Sequence, residues 1–363
     1  MKTRLLKIYK ILEKNTFLFS ISITVLIVLF SIGLSMEFNK LVPLNPDPLA
    51  HYLLEPQNPL KFLANWDGPL YLKIAKTGYG DISLTKFLPL YPILIHYLNL
   101  IIPSALISAL LISWVCLVFS IYFYLKIIDI LFSSKGNFNK LNYLIFYIFF
   151  PSAIFFIATY SESLFAFLAL GATYFALNKR YLLAGLFSSL FLVTNTYGFL
   201  TVFFIFLILV EQRQKLAKIA SFLVLSSLGI VSYSIYLWNK FNSPLAFILS
   251  QKNNGWLNGN YHELINSFNI FSLVFIFLLI LGAFYWFRKR KSFALYLLSF
   301  LLIPIIGNQF GGFNRYVLMA FPLQFMAYDY LKDKPILKKG CLIILIVTWT
   351  YFTLQYGGGY IGG

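Results

Sequence analysis

Residues 17–35 read FLFSISITVLIVLFSIGLS, a predominantly apolar run without a single charged side chain. Such a run is close to the roughly 20 residues that an α-helix needs to cross the hydrocarbon of a membrane. Comparable runs recur along nearly the whole chain, and none shows the alternation that is typical of barrel strands. The sequence therefore predicts an all-α, polytopic integral membrane protein in which residues 1–363 form a single transmembrane domain.

The composition supports this class. Of the 363 residues, 60% are hydrophobic, 20% aromatic and 11% charged, whereas soluble domains carry about 25% charged residues. The formal charge of +17 can also indicate a nucleic-acid partner, but the Lys and Arg residues lie mostly in short clusters between apolar runs, as the positive-inside rule predicts. We therefore expect the lipid bilayer as a partner and no nucleic acid. Cys116 and Cys341 both lie in apolar runs, which indicates neither a disulfide framework nor a thiolate metal site.

Charge clusters give the predicted orientation. Basic residues crowd the first 14 positions and place the N-terminus in the cytoplasm, and the long first run without an obvious cleavage site predicts an uncleaved helix. The basic cluster at 288–291 is the strongest single topology signal. The alternation of sides predicts about 11 crossings of the cytoplasmic membrane with the C-terminus outside. A first extracytoplasmic loop is expected at 37–86 and a second at 239–269.

The other predicted segments differ in length. Residues 87–103 are apolar but short and carry Pro89, Pro92 and His96, which predicts a re-entrant or strongly kinked segment. Residues 181–210 hold two short runs broken by TNT at 194–196, which predicts two short helices whose polar break faces a cavity. Longer helices are predicted at 105–132, 141–158, 163–177, 219–238, 293–306, 316–331 and 341–356.

A polar and aromatic island, NWDGPLYLKIAKTGY, occupies residues 65–79 of the first loop. It contains Asp67, one of only 12 acidic residues in the chain. If this stretch begins a short helix, Asp67, Tyr71 and Ile74 share one face at spacings of i, i+4 and i+7. We expect the active site here. Alternatively, Asp67 caps a helix that starts at Gly68, a role that Asp often fills.

Five polar segments fall on the same, extracytoplasmic side of the predicted topology. They are the island at 65–79, TYSES at 159–163, TNT at 194–196, the loop at 239–269 and GNQFGGFNR at 307–315. Clustering on one side favours an enzyme site over a transport path through the membrane midplane.

Five ordered motifs carry a family resemblance. They are NWDGPLYLKIAKTGYG at 65–80, KFLPLYP at 86–92, FPSAIFFIATYSESLFAF at 150–167, TNTYGFL at 194–200 and FNRYVLMAFPL at 313–323. In this order they resemble the GPI mannosyltransferase II (PIG-V) family of GT-C glycosyltransferases. The resemblance implies a GT-C-type fold and an enzyme that transfers a sugar from a polyprenyl-phosphate carrier on the outer side. It also implies that Asp67 is the acidic residue of the first outer loop that lies in the active site.

The chain departs from the family pattern at one motif. Many relatives have an arginine in the TNT break, where Asn195 stands here as a candidate donor contact, so Arg315 must supply more of the phosphate binding. Asp81 matches an acid that often follows the first motif and is a candidate second acid. No Asp-x-Asp motif surrounds Asp67, so no tightly held metal is predicted. The only small molecule expected is the polyprenyl-phosphate sugar itself.

Inverting transfer from such a donor needs a carboxylate that accepts the proton of the acceptor hydroxyl, and groups that stabilise the departing phosphate. Asp67 is the candidate general base. The candidates for the donor phosphate and sugar are Arg315, Asn314, Tyr71, Trp66, Tyr79, Glu162, Tyr160 and Asn195, with Lys73 or Lys76 as further phosphate contacts.

Structural roles stay open for several of these candidates. Glu162 is either a catalytic acid or a helix cap and ion-pair partner of Arg315. Arg315 itself is either a phosphate ligand or an anchor at the membrane interface, and Trp66 and the tyrosines also fit an aromatic belt.

The sequence thus predicts a membrane glycosyltransferase, by resemblance a mannosyltransferase, with a glycan, glycolipid or protein acceptor. The alternative is a transporter or flippase of lipid-linked sugars, since inward charges and broken helices also mark transport paths. Few acids and abundant Lys, Asn, Ile and Phe are typical of an AT-rich prokaryote, in which a GPI acceptor is not expected. The sequence leaves the sugar, the acceptor and the linkage open.

Overall fold

The structure is a computed structural model that describes residues 15–45, 47–133, 140–253, 268–307, 310 and 312–360. All regular secondary structure in these residues is helical, which confirms the all-α class. The α-helices are α1 (Thr16–Leu41), α2 (Asp67–Thr77), α3 (Leu90–Asn99), α4 (Ala105–Phe132), α5 (Lys140–Ile148), α6 (Glu162–Leu177), α7 (Tyr181–Leu192), α8 (Gly198–Glu211), α9 (Leu216–Phe241), α10 (Ala246–Asn253), α11 (Ile270–Phe287), α12 (Lys291–Ser299), α13 (Leu302–Gly307), α14 (Phe313–Val317), α15 (Phe321–Leu331) and α16 (Pro335–Gly357). Short 3₁₀ turns lie at Ala50–Tyr52, Lys61–Ala64, Ile82–Lys86 and Ala153–Phe156.

Five helices of the described part are long and apolar enough to cross a membrane, namely α1, α4, α9, α11 and α16. Helices α6, α7 and α8 and the segment of α12 and α13 are apolar but shorter. These lengths and compositions are consistent with a helical membrane protein. The number of crossings, their orientation and the GT-C-type fold stay predictions.

Several helix bounds follow the apolar runs closely. Helix α4 has the predicted bounds, and α7 and α8 are the predicted pair of short helices on either side of the TNT break. Residues 87–103 contain only the ten-residue helix α3, which is too short to span the hydrocarbon and fits the expected interrupted segment. Helix α1 continues to Leu41, five residues beyond the predicted exit near Met36.

Three predicted helices are broken in the structure. The run 141–158 ends as helix at Ile148, because Pro151 follows, lacks a backbone N–H and restricts the residue before it. The runs 293–306 and 316–331 are divided into α12 with α13 and α14 with α15. The breaks at 300–301 and 318–320 turn the chain near the candidate site.

Helix α4 is the most buried of the five long helices and lies at the centre of the bundle. It packs against α1 and α6, and α7 packs against both α6 and α9. The contact between α7 and α9 is close at Gly229, where a Cβ atom would lie 2.1 Å from the carbonyl oxygen of Ser189. Only glycine permits this approach.

The segment between α1 and α3 covers one end of the bundle and is joined to the C-terminal end of α16. The Asn65 side-chain amide donates to the Tyr356 carbonyl at 2.8 Å, and the Tyr356 hydroxyl donates to the Leu63 carbonyl at 3.2 Å. The Asn45 N–H donates to the Gly358 carbonyl at 2.9 Å. These bonds fix the chain immediately before Asp67.

Parts of three predicted segments lie outside the described residues. They are the basic residues of positions 1–14, residues 254–267 of the second predicted loop, and Asn308, Gln309 and Gly311 of GNQFGGFNR.

Candidate active site

Helix α2 begins at Asp67, and the residue before it has an unusual backbone conformation. Trp66 has φ 60° and ψ −110°, a region that bulky residues rarely adopt. Its N–H donates to the Asp47 carboxylate at 2.6 Å. Trp66 therefore occupies the N-cap position, and the Asp67 carboxylate is directed to Arg315 instead of capping a helix that starts at Gly68.

Arg315 contacts two carboxylates. Its Nη1 donates to Asp67 Oδ2 at 2.9 Å, although the two residues are 248 positions apart in the chain. Its Nε lies 3.3 Å from Glu162 Oε1, and this second contact is a charge pair without the alignment of a hydrogen bond. Helix α14 carries Arg315 after Gly312, whose φ of 73° requires glycine.

Glu162 is the first residue of α6 and only 3% exposed. Its second carboxylate oxygen, Oε2, has no hydrogen-bond partner among the described residues. A buried carboxylate oxygen without a donor is unfavourable, and Glu162 lines a cavity. Because this oxygen is itself buried, it can accept a hydrogen bond from a ligand in that cavity only after neighbouring side chains move.

Aromatic rings surround the guanidinium group of Arg315. Its Cζ lies 5.6 Å from the ring centre of Phe155 and 5.2 Å from those of Tyr160 and Tyr316, distances at which a cation is attracted to an aromatic face. The Tyr160 hydroxyl accepts a hydrogen bond from the Asp67 N–H at 3.2 Å. These contacts hold Arg315 and Asp67 in a fixed relative position.

Tyr71 lies one turn beyond Asp67 on α2, as the predicted helix face requires. Its hydroxyl is 3.2 Å from Ser161 Oγ. Burial, followed by the negative charges of Glu162 and Asp67, raises the pKa of Tyr71 well above its usual range. Tyr71 therefore stays protonated and can donate a hydrogen bond.

The charged cluster borders a cavity of about 380 Å³. Two carboxylates, an arginine and a lysine line it together with uncharged polar and apolar side chains. The lining residues are Asp67, Tyr71, Lys86, Phe87, Leu88, Glu162, Thr194, Asn195, Thr196, Tyr197, Phe199, Leu200, Gln251, Leu302, Ile303, Ile306, Arg315 and Tyr316. The structure thus brings five predicted site residues into one cavity, namely Asp67, Tyr71, Glu162, Asn195 and Arg315.

Lys86 is the main residue that the sequence reasoning missed. It ends the 3₁₀ turn Ile82–Lys86 and lines the cavity half-buried. Burial lowers the pKa of Lys86, and the negative charge of Asp67 opposes part of this shift. Its place as the first residue of the KFLPLYP motif was the available signal. Tyr197 and Tyr316, whose ring centres are 4.1 Å apart, were missed although both follow predicted site residues.

Three predicted donor contacts adjoin the cluster without lining the cavity. Trp66 precedes Asp67, and its indole nitrogen is buried without a hydrogen-bond partner in the described part of the chain. Tyr160 supports the Asp67 backbone as described above. Asn314 precedes Arg315, and its carbonyl accepts a hydrogen bond from Ser152 Oγ at 2.8 Å. These residues are placed to position the cluster.

The other predicted residues lie away from the cavity. Asp81 is exposed and caps the turn Ile82–Lys86, where hydrogen bonds from Ser83 lower its pKa. The Tyr79 hydroxyl donates to the Phe87 carbonyl at 2.5 Å. The Lys73 ammonium lies 4.2 Å from the Tyr52 ring centre, and Lys76 is exposed. Lys86 lines the cavity, whereas Lys73 and Lys76 are not among its lining residues.

Arg315 lies between the two carboxylates of the cavity. No group of three or more His, Cys, Asp or Glu side chains suited to a metal ion occurs among the residues that the structure describes. The arrangement offers one partly exposed carboxylate, one buried carboxylate with a free oxygen and two cations, a set suited to hydroxyl and phosphate groups.

Comparison of the chain with protein-family models, with curated proteins and with solved structures gives no match.

Proposed function

We propose that this chain is a GT-C-type membrane glycosyltransferase, related to the PIG-V family, that transfers a sugar from a polyprenyl-phosphate donor to a lipid- or protein-linked acceptor. Mannose is the sugar that the resemblance favours. The observation that carries the proposal is the Asp67–Arg315–Glu162 cluster at a cavity with apolar walls. It combines a base, phosphate-binding cations and room for a lipid in one place.

Asp67 serves as the general base. Its side chain is 23% exposed, whereas the buried Glu162 is closed to bulk solvent. The carboxylate accepts the proton of the acceptor hydroxyl while the hydroxyl oxygen bonds to the anomeric carbon. The bond between that carbon and the phosphate oxygen breaks, and the phosphate leaves with the electron pair. The configuration at the anomeric carbon is inverted.

Arg315 and Lys86 stabilise the departing phosphate. A donor phosphodiester carries one negative charge, and its conversion to a phosphomonoester adds a second, which nearby cations stabilise in a cavity of low dielectric. In the structure Arg315 is paired with Asp67. A donor phosphate that binds Arg315 competes for the same donors and frees the Asp67 carboxylate for proton transfer. Donor binding thereby activates the base.

The apolar wall accommodates the prenyl chain. Leu302 and Ile306 line the cavity and are 48% and 63% exposed at the outside of the bundle. Ile303 lies between them on α13. In a membrane protein such exposed apolar side chains face lipid. The prenyl chain can therefore leave the cavity along α13 while its phosphate stays near Arg315.

The test is transfer of label in membranes that contain the protein. Membranes with the wild type are incubated with radiolabelled polyprenyl-phosphate mannose and with the glucose analogue, and label is followed into lipid and protein fractions. We expect transfer with the wild type and about 10³-fold less with Asp67→Asn. Equal transfer by the two proteins contradicts the proposal.

A second measurement separates the enzyme from the flippase. Single cysteines introduced near residues 65, 195 and 314, which are partly exposed, should all react with a membrane-impermeant maleimide from the outer face. Movement of the labelled lipid between leaflets without transfer of its sugar, together with labelling from both faces, supports the flippase instead.

A further inference from the structure

A second cavity, of about 670 Å³, lies against the C-terminal half of α2. Helices α3 and α9 form its other sides. Its walls are mostly apolar, with hydroxyl groups from α9 and lysine and histidine side chains at exposed positions. The lining residues that carry the argument are Lys76, Ile93, Val193, Gly229 and Tyr236.

A hydrogen-bonded segment separates this cavity from the candidate active site. Residues 86–88 line the first cavity, whereas Val193 lines the second. Tyr79 donates to the carbonyl of Phe87 at 2.5 Å, and the Leu90 N–H donates to the Val193 carbonyl at 2.9 Å. A ligand in the second cavity is therefore divided from Asp67 by an intact wall and is not placed to react there.

The second cavity extends along part of the depth of one membrane leaflet. It extends along α9, one of the five candidate membrane spans, from Gly229 in the middle of that helix to Tyr236. From Gly229 to Tyr236 the helix rises about 10 Å, about a third of the roughly 30 Å hydrocarbon thickness, and Lys240 lies one turn beyond Tyr236. Ile93 and Tyr236 are 46% and 40% exposed. The cavity is therefore open at the outside of the bundle, where lipid is present.

The end of this cavity that is lined by Lys76 and Tyr236 is positively charged. Lys76 lines it at an exposed position, and the Lys240 ammonium lies 5.8 Å from the ring centre of the lining residue Tyr236. None of the described residues that line the cavity is acidic. Lysines at the boundary of a leaflet attract anionic lipid headgroups.

We propose that the second cavity binds one anionic phospholipid of the leaflet that faces α2. Its acyl chain lies between α3 and α9 and reaches Gly229, and its phosphate lies near Lys76 and Lys240. The lipid is a structural ligand and not a substrate, because the wall formed by residues 86–90 separates it from Asp67. It supports the back of α2, whose first residue is Asp67.

The test uses the full-length protein purified in detergent and native mass spectrometry of bound lipid. Phosphatidylglycerol and phosphatidylcholine with identical acyl chains are the probes. We expect retention of one phosphatidylglycerol in preference to phosphatidylcholine. The variant Lys76→Gln/Lys240→Gln should weaken phosphatidylglycerol binding about 25-fold, since each lysine near an anionic headgroup contributes about 5-fold.

Two further variants make the result specific. Ile93→Trp places a larger side chain in the cavity and should reduce retention of both lipids. Lys61→Gln is the matched control, because Lys61 is exposed in the same loop and lines neither cavity.

Equal retention of the two lipids by the wild type overturns the proposal, and so does an equal loss in Lys61→Gln and the double variant. Because lipid retention is measured without sugar transfer, these results leave the proposed glycosyltransferase activity untouched.

Discussion

This protein has two clusters of paired charged side chains, and they differ in whether they border a cavity. In one, Arg315 pairs with Asp67 and Glu162. In the other, Asp329 pairs with Lys289 at 3.1 Å and with Lys332 at 3.3 Å. The first borders a cavity, and neither described cavity includes a member of the second.

The clusters lie toward opposite ends of α11. The Phe268 ring, just before this helix, packs against Phe310, which in turn packs against Phe313 on the helix of Arg315. Tyr285, near the other end of α11, donates a hydrogen bond to Asp329. Eighteen residues of helix separate the two ends by about 27 Å.

The hydrogen bonds of Asp329 and Glu162 indicate a different role for each cluster. Asp329 is partnered at both oxygens, since Tyr143 and Lys332 contact Oδ1 while Tyr285 and Lys289 contact Oδ2. Glu162 Oε2 has no partner in the described part of the chain. A buried charge with complete partners joins helices, whereas a buried carboxylate beside a cavity with an oxygen that lacks a donor is suited to a ligand. The following substitutions test this contrast.

Asp67→Asn should give the largest effect. The asparagine keeps the size of the side chain and can still accept a hydrogen bond from Arg315, but it cannot take up a proton from the acceptor. We expect sugar transfer to fall about 10³-fold, with an unchanged thermal unfolding midpoint in detergent. Asp81→Asn is the control, because this exposed aspartate lies in the same loop and outside the cavity. A comparable loss in both variants contradicts the assignment of the base.

Asp329→Asn should lower the stability of the protein and leave its sugar-transfer activity unchanged. It removes the charge that two lysines and two tyrosines share, so the free energy of unfolding should fall by about 2 kcal/mol. Lys289 and Lys332 are partly exposed and stay hydrated, which keeps the loss below that of a fully buried pair. Thermal unfolding in detergent measures the change, and transfer per folded molecule should equal that of the wild type. Lower specific activity at full folding would show that the two clusters are coupled.

The sequence predicts the helices of this fold better than their interruptions. A long apolar run is sufficient to form a helix in a membrane, so α4 has the predicted bounds. The breaks at residues 300–301 and 318–320 are each followed by a proline, Pro304 and Pro322, which lacks the N–H that would bond back to residue 300 or 318. The prolines were the local signal for these breaks, and the long apolar runs around them obscured it.

The sequence likewise predicts some residues of the candidate site and misses others. Asp67, Glu162, Asn195 and Arg315 are polar residues in or beside apolar runs, where a charge or amide is costly without a role, and this contrast identified them. Lys86 was missed because a lone lysine next to an apolar run also fits an ordinary topology signal.

Glu162→Gln should have an intermediate effect on activity. If Oε2 accepts a hydrogen bond from a sugar hydroxyl, loss of the negative charge should lower kcat/KM about tenfold, because hydrogen bonds to charged groups contribute about 1.5 kcal/mol. Initial rates at varied donor concentration measure the loss, and Glu37→Gln on the exposed surface is the control. Lower thermal stability with unchanged kcat/KM would instead support a purely structural role as the ion-pair partner of Arg315.

Lys86 should give the smallest effect, which is visible in the pH dependence. Burial lowers the pKa of Lys86 in the folded protein, so its ammonium loses a proton at a lower pH than an ordinary lysine does. As the pH rises through this pKa, the cavity loses one phosphate-binding charge, and KM for the donor should rise a few-fold. In Lys86→Arg, which stays charged, the rise in KM should move to higher pH. KM measured at closely spaced alkaline pH values checks this, and identical alkaline profiles for the two proteins would remove Lys86 from the phosphate site.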